Sequence, residues 1–358
     1  MIDSIFVIDG IAHAFDWREE RRVGEYGKFL ADSVVTGLAH YCPPEVILPP
    51  RDLTSRYGAE NTTRAYFLES QVDLAVTHHV PTYSYLRGGL VSIEDNVELA
   101  ERWPDRWIAY AGVDPTVGVS EAIESLEAQV ELLPRTMGLK LYPSQVNPLR
   151  ELYVDDERFF PLWERAHELG IKVIAIHKNS VYGPLPGHPF RVGDVEGAAA
   201  VFPDLRWELV HGGVAFAEET ATAIGRFPNV FVNLELTCWL LYRQRGRFEH
   251  ILAQFMLWGG PDKIIWGTGG PAVHPQPLLE EFMAFEFSEP TLYQYGIEQL
   301  TRVDKEWILG RTYASMIGLD LEAARAGIAG DAFALSQREH GLLPRYSTWI
   351  PDADAAAA

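Results

Sequence analysis

The 358-residue sequence predicts a (β/α)8 TIM barrel of the α/β class, and three observations carry the prediction. Eight apolar runs alternate with stretches of helical periodicity. Polar residues recur at the C-terminal ends of those runs across the whole chain, where barrel active sites are built. No glycine-rich dinucleotide loop follows the first run, which leaves a doubly wound sheet as the weaker alternative. The predicted organisation is a barrel over residues 1–330, with a long pocket-covering insertion at 16–70, and a C-terminal extension at 331–358.

The first strand is Ile5-Phe6-Val7-Ile8, and it runs into Asp9-Gly10-Ile11-Ala12-His13. Alternation puts Asp9, Ile11 and His13 on one face unless the chain bends at Gly10. In the insertion, the pairs Pro43-Pro44 and Pro49-Pro50 break any single long element, so helices are expected near 24–38 and 58–70. Strand two is 72–81 and ends in His78-His79. At most one of these histidines faces the centre, and the alternation ending at Pro81 favours His79. A helix near 92–102 leads to strand three, 107–113, and a helix over 119–133 leads to strand four, 138–142. Beyond a helix over 157–169, closed by Gly170, lies strand five, 171–177. A short helix around 194–201 precedes strand six, 205–213. Helices near 217–226 and 247–258 flank strand seven, 230–236, and strand eight is 263–267. Helices are expected at 276–286, 290–301 and 303–317, followed by a tail that wraps the domain or mediates assembly and is loose at its end.

The composition is that of a large globular core, 47% hydrophobic and 22% charged. The formal charge of -20 opposes non-specific nucleic-acid binding, so no nucleic-acid partner is expected. Two cysteines make a disulfide framework improbable on counting grounds. The start carries no secretory signal and no run reaches transmembrane length, so no membrane association is expected and the cytoplasm is the default location.

His177 and His211 end strands five and six, and His13 ends strand one. A single strand-end histidine is usually structural, but three aimed at one cavity form a donor set for zinc, iron or manganese. Asp9 either joins that set or orients His13 from behind. Glu235, beyond strand seven, is a metal ligand or general base, against the plainer reading of a solvent-facing acid. Lys140 lies mid-strand between leucines, where a free ammonium is costly; it pairs with a carboxylate, holds an acidic substrate or bridges metals. His79 and His274 are further catalytic candidates, and Glu208, Asp16 and Asp114 weaker ones.

Several segments resemble the amidohydrolase superfamily over residues 5–319. They include Gly138-Leu139-Lys140-Leu141-Tyr142-Pro143, Phe160-Pro161-Leu162-Trp163, Phe202-Pro203-Asp204-Leu205 before Leu209-Val210-His211-Gly212-Gly213, and Ile264-Ile265-Trp266-Gly267-Thr268. The similarity points to the amidohydrolase-related branch that includes aminocarboxymuconate semialdehyde decarboxylase. It implies one or two divalent ions, zinc, iron or manganese, and makes a homodimer the assembly to look for. Ile11 stands where the family's first strand carries a histidine, and Gly269 where its eighth strand carries an aspartate. Glu235, His79, Lys140 or His274 are the groups that would rebuild the site.

The function this implies is a metal-dependent hydrolase of a small carboxylic-acid derivative (an ester, thioester, lactone or amide) with a bulky, partly apolar acyl group. The alternatives are a non-oxidative decarboxylase of an aromatic or unsaturated acid, and a non-catalytic small-molecule-binding homologue.

Overall fold

The computed structural model describes residues 1–133 and 135–351. The terminal alanine run, read above as loose, lies outside the described residues. Eight strands form one parallel sheet: β1 Ile8–Ala12, β2 Leu74–His78, β3 Trp107–Gly112, β4 Gly138–Leu141, β5 Val173–His177, β6 Arg206–Val210, β7 Val230–Asn233 and β8 Ile264–Ile265. They pair in chain order, as crossover helices between parallel strands require. The sheet closes on itself at the β1–β8 seam. Gly10 N–H donates to Trp266 O (2.8 Å), Gly269 N–H to Ile11 O (2.9 Å) and His13 N–H to Gly270 O (2.9 Å). Closure sets aside the doubly wound alternative.

Side chains fill the barrel. Ile8, Val76, Tyr110, Val173, Ala175, Phe231 and Ile265 form a buried inner cluster, continuous with Tyr313, Met316 and Ile317 on the helix Thr312–Ile317. Leu139, Ile174, Trp207, Leu209 and Val232, one position out of phase, belong to the second buried cluster outside the barrel. This is the two-sided burial that makes parallel strands read as continuous apolar runs.

The chain departs from regular alternation in β1. The β1–β2 register shifts between Asp9 and Ala12, so Asp9 and His13 do not share a face. Asp9 turns to the seam instead, where its carboxylate accepts from Thr268 N–H (3.0 Å), Thr268 Oγ1–H (2.5 Å) and Ile11 N–H (3.2 Å).

The insertion after β1 is ordered around the helix Gly24–Tyr41. Its residues Leu30, Val34 and Leu38 roof a cavity at the C-terminal ends of the strands. Beyond β8 the chain continues through helices Leu321–Ile328 and Ala332–His340, neither of which the sequence reading names. Each begins on an aspartate whose carboxylate accepts first-turn N–H groups, Asp320 and Asp331. The segment after them lies back over the barrel. Glu69, itself buried, accepts from Tyr346 N–H (2.7 Å), Thr348 N–H (2.8 Å) and Thr348 Oγ1–H (2.7 Å). Among the described residues no helix is long and apolar enough to cross a membrane.

Candidate active site

The cavity under the covering helix holds about 300 Å³. Its floor is His13, His177, His211, Glu235 and Tyr142; Phe15, Trp17, Tyr182 and Trp239 form aromatic walls. A larger surface groove of about 630 Å³, beside Arg150 and Arg158, contains none of the histidines.

His177 continues the inward face of β5 after Val173 and Ala175. His211 comes one residue after β6, and its backbone adopts φ +63°, a conformation that costs a non-glycine residue energy. Leu236, immediately after Glu235, does the same at φ +63°. These two bends bring His211 and Glu235 to the floor of the cavity. His177 Nδ1 lies 2.8 Å from His211 Nε2, and His177 Nε2 lies 2.7 Å from the carbonyl of Ser180. His211 Nδ1 contacts Glu235 Oε2, without the alignment of a hydrogen bond.

These partners assign the tautomers. A carbonyl can only accept, so His177 Nε2 carries hydrogen and its Nδ1 presents a lone pair. His211 Nε2 must then donate, which leaves the lone pair of His211 Nδ1 facing the Glu235 carboxyl. Burial drives both histidines well below their ordinary range, and each is further disfavoured as a cation by Lys140. Burial pushes Glu235 up to about 7, against the opposing pull of His13 and Lys140. Two neutral imidazoles and a proton-bearing Glu235 therefore fit the contacts.

Glu235 also occupies the place of a missing side chain. A Cβ built on Gly269 would run into Glu235 Oε1, and Gly269 sits at φ +67°. The resemblance places a carboxyl at the end of β8; the carboxyl that reaches this position in the structure is that of Glu235, at the end of β7. Sequence comparison along the eighth strand alone shows only the loss at Gly269, because the replacement arrives from a neighbouring strand.

Lys140 is 1% exposed and lies beneath the floor, 5.5 Å from the ring centre of Tyr142. Burial lowers its ammonium to about 8, opposed by Glu235 and Glu208. His13 stacks on Phe15 at 4.6 Å, and burial lowers it to about 3.

Two candidates lie elsewhere. His79 is turned away: its Nδ1 meets Val91 O (2.6 Å) and its Nε2 meets Tyr83 Oη (2.8 Å). His78 faces inward instead, stacked on Tyr110 at 4.5 Å with its Nε2 3.1 Å from Gly10 O. Reading the alternation from Pro81 gave the opposite parity, and a one-residue slip exchanges the two faces of a strand. His274 does not reach the cavity. Its Nδ1 caps the helix Pro275–Met283 through Gln276 N–H, and its Nε2 lies 3.1 Å from Glu69.

The residues do not fit the divalent centre that the resemblance implies. Among the described residues no three His, Cys, Asp or Glu side chains are arranged to hold an ion. Both nitrogens of His177 are engaged, as are both oxygens of Asp9, and Ile11 and Gly269 supply no side-chain donor. Of the five residues expected to share a metal, His13, His177, His211 and Glu235 line one cavity, and Asp9 closes the seam.

A family model described as amidohydrolase matches residues 62–318. No curated protein matches the chain. Among solved structures, an uncharacterized TIM-barrel protein from Bordetella bronchiseptica is 17% identical, with a TM-score of 0.63 over 88% of this chain and 99% of that one. The 5-carboxyvanillate decarboxylase of Novosphingobium aromaticivorans, complexed with manganese and 4-hydroxy-3-methoxy-5-nitrobenzoic acid, is 15% identical, with a TM-score of 0.54 over 88% and 97%. The 2,6-dihydroxybenzoate decarboxylase from Rhizobium is 16% identical, with a TM-score of 0.51 over 88% and 99%. At such identities these structures speak to the fold. The family match spans more than half of the sequence, and the chain belongs to the amidohydrolase family.

Proposed function

We propose that the protein is a non-oxidative decarboxylase of a small aromatic carboxylic acid. The observation that carries this reading is the Glu235 carboxyl at the floor of an aromatic-walled cavity, beside the contact chain Ser180–His177–His211, where burial pushes it up to about 7. Decarboxylation of an electron-rich ring needs an acid at the carbon that bears the carboxylate. Glu235 delivers its proton to that carbon. The carbon–carbon bond to the carboxylate then breaks, its electron pair restores the aromatic ring, and carbon dioxide leaves. Water returns the proton to Glu235. Lys140 supplies positive potential beneath the floor for the substrate carboxylate. Phe15, Tyr182 and Trp239 present faces and edges suited to a flat ring.

The manganese-bound and hydroxybenzoate decarboxylases among the structural neighbours support the same reaction class. A panel of carboxyl-13C hydroxybenzoates, with matching esters, amides and lactones, tests the proposal. Release of labelled carbon dioxide, with solvent deuterium at the vacated ring carbon, is the expected result. New free acid from an ester or lactone, with the carboxyl label retained, refutes it. Tight binding without turnover identifies a non-catalytic binding protein.

A further inference from the structure

The roof of the cavity is one face of one helix. Leu30, Ser33, Val34, Gly37, Leu38 and Tyr41 of the helix Gly24–Tyr41 all line it. They recur at i, i+3, i+4, i+7, i+8 and i+11, the stripe that a single side of an α-helix presents. Leu30, Val34 and Leu38 carry no polar side-chain atom. The Ser33 hydroxyl is engaged by its own helix, donating to Leu30 O (2.8 Å). Tyr41 ends the stripe with an amphipathic ring. The histidines and Glu235 lie on the floor instead. The cavity is thus polar at one end and apolar at the other, and an occupant has to match both.

Gly37 stands inside this stripe, where its presence calls for a reason. Glycine within a helix destabilises it relative to alanine, because its backbone loses more freedom on folding. The two usual reasons for tolerating that loss do not apply. The backbone of Gly37 has no positive φ, and a Cβ built on it meets no atom within 4 Å among the described residues. Gly27 of the same helix shows the contrast: its Cβ would come within 2.5 Å of Tyr85 O, so close packing requires glycine there. What Gly37 provides is open space on the apolar wall of the cavity.

The volume agrees. An apolar cavity of roughly 150 Å³ is enough to hold benzene. This cavity is about 300 Å³, so one ring fills about half of it. We infer that the roof is a subsite for an apolar substituent, that the substrate is an aromatic acid bearing an alkyl or aryl group about the size of a second ring, and that Gly37 is the residue that admits this group. The acid end of that substrate rests on the decarboxylase reading; the apolar subsite does not.

Isothermal titration calorimetry on the full-length protein, with 2-hydroxybenzoate and its 4-propyl and 4-phenyl derivatives, reads the subsite without turnover. Each methylene removed from water tightens binding about threefold to fourfold, so the propyl acid should bind at least about tenfold more tightly than the parent. In Gly37→Leu, whose side chain would fill the subsite, the two affinities should lie within about threefold of each other. Gly37→Ala gains helix propensity in open space and should melt at or above the native temperature. Equal affinity of the native protein for the parent and both derivatives overturns the subsite. An undiminished preference in a folded Gly37→Leu overturns the role of Gly37, and a Gly37→Ala that melts well below the native protein overturns the open position. The native series decides the subsite whether or not Gly37→Leu folds. Carbon dioxide released from the parent and propyl acids with equal kcat/KM overturns the subsite alone. Tight binding of the propyl acid with no carbon dioxide released overturns the decarboxylase reading alone, and binding of none of the acids overturns both.

Discussion

Glu235→Gln should make the protein more stable and nearly inactive at once. Burial moves the carboxyl from an ordinary 4.5 to about 7. That gap corresponds to about 3 kcal/mol between its protonated and ionised forms in the folded state. The folded value lies above the unfolded one, so the native state binds more protons throughout the window from 4.5 to about 7. Stability contributed by this residue therefore falls as pH rises through the window and is flat outside it. Glutamine keeps the shape and cannot ionise. At pH 8 the variant should melt several degrees above the native protein, and the difference should shrink to nothing near pH 4.5. Carbon dioxide release should drop by about 10²–10⁴-fold, the usual contribution of a positioned acid. Differential scanning calorimetry at three pH values, beside a turnover assay, measures both. A variant that melts at or below the native temperature at pH 8 would show that Glu235 is held as a satisfied carboxylate, and the acid role would fail with it.

Other variants probe the frame around this group. Gly269→Ala places a methyl group against Glu235 Oε1 at a φ of +67°, so it should cost more than about 1 kcal/mol in urea melts and abolish turnover. Lys178 is 0% exposed and holds Asp194 through 2.8 and 2.9 Å contacts; Lys178→Met should cost about 3–5 kcal/mol, and K178M/D194N should regain much of it. Glu69→Ala removes the acceptor for Tyr346 and Thr348, so trypsin should cut after Arg345 much faster than in the native chain, read by mass spectrometry. Because no three His, Cys, Asp or Glu side chains among the described residues are arranged to hold an ion, chelator-treated protein should keep most of its turnover; loss of activity restored by manganese or zinc would contradict that reading of the site.

The barrel was legible because each strand is an apolar run buried on both faces, bounded by turn residues. His177 and His211 stood out as polar endings of such runs, and both reach the cavity floor. Facing was harder. His78 and His79 are adjacent, and nothing local fixes which one points inward until the register with β1 and β3 is known. Alternation places Asp9 on the face of His13 unless the chain bends at Gly10, and the register shift between Asp9 and Ala12 is a departure of that kind. The exchange of Glu235 for a side chain at Gly269 links residues 34 positions apart and appears only when β7 and β8 are adjacent. His274 had a usable cue in Pro275, since proline at the first helical position follows a capping residue.

The seam between β1 and β8 also sets a timetable for synthesis. Ile8 and Ile264 begin strands that are 256 positions apart in the chain. At about 5–20 residues per second, β1 waits roughly 13–50 seconds on the ribosome before its second neighbour exists. During that interval its open edge is a template for pairing with other chains. Asp9, whose carboxyl later closes the seam onto Thr268, is then a charged group on that edge, the kind of residue that discourages such pairing. One side chain thus guards the edge while the barrel is open and fastens it once the last strand arrives.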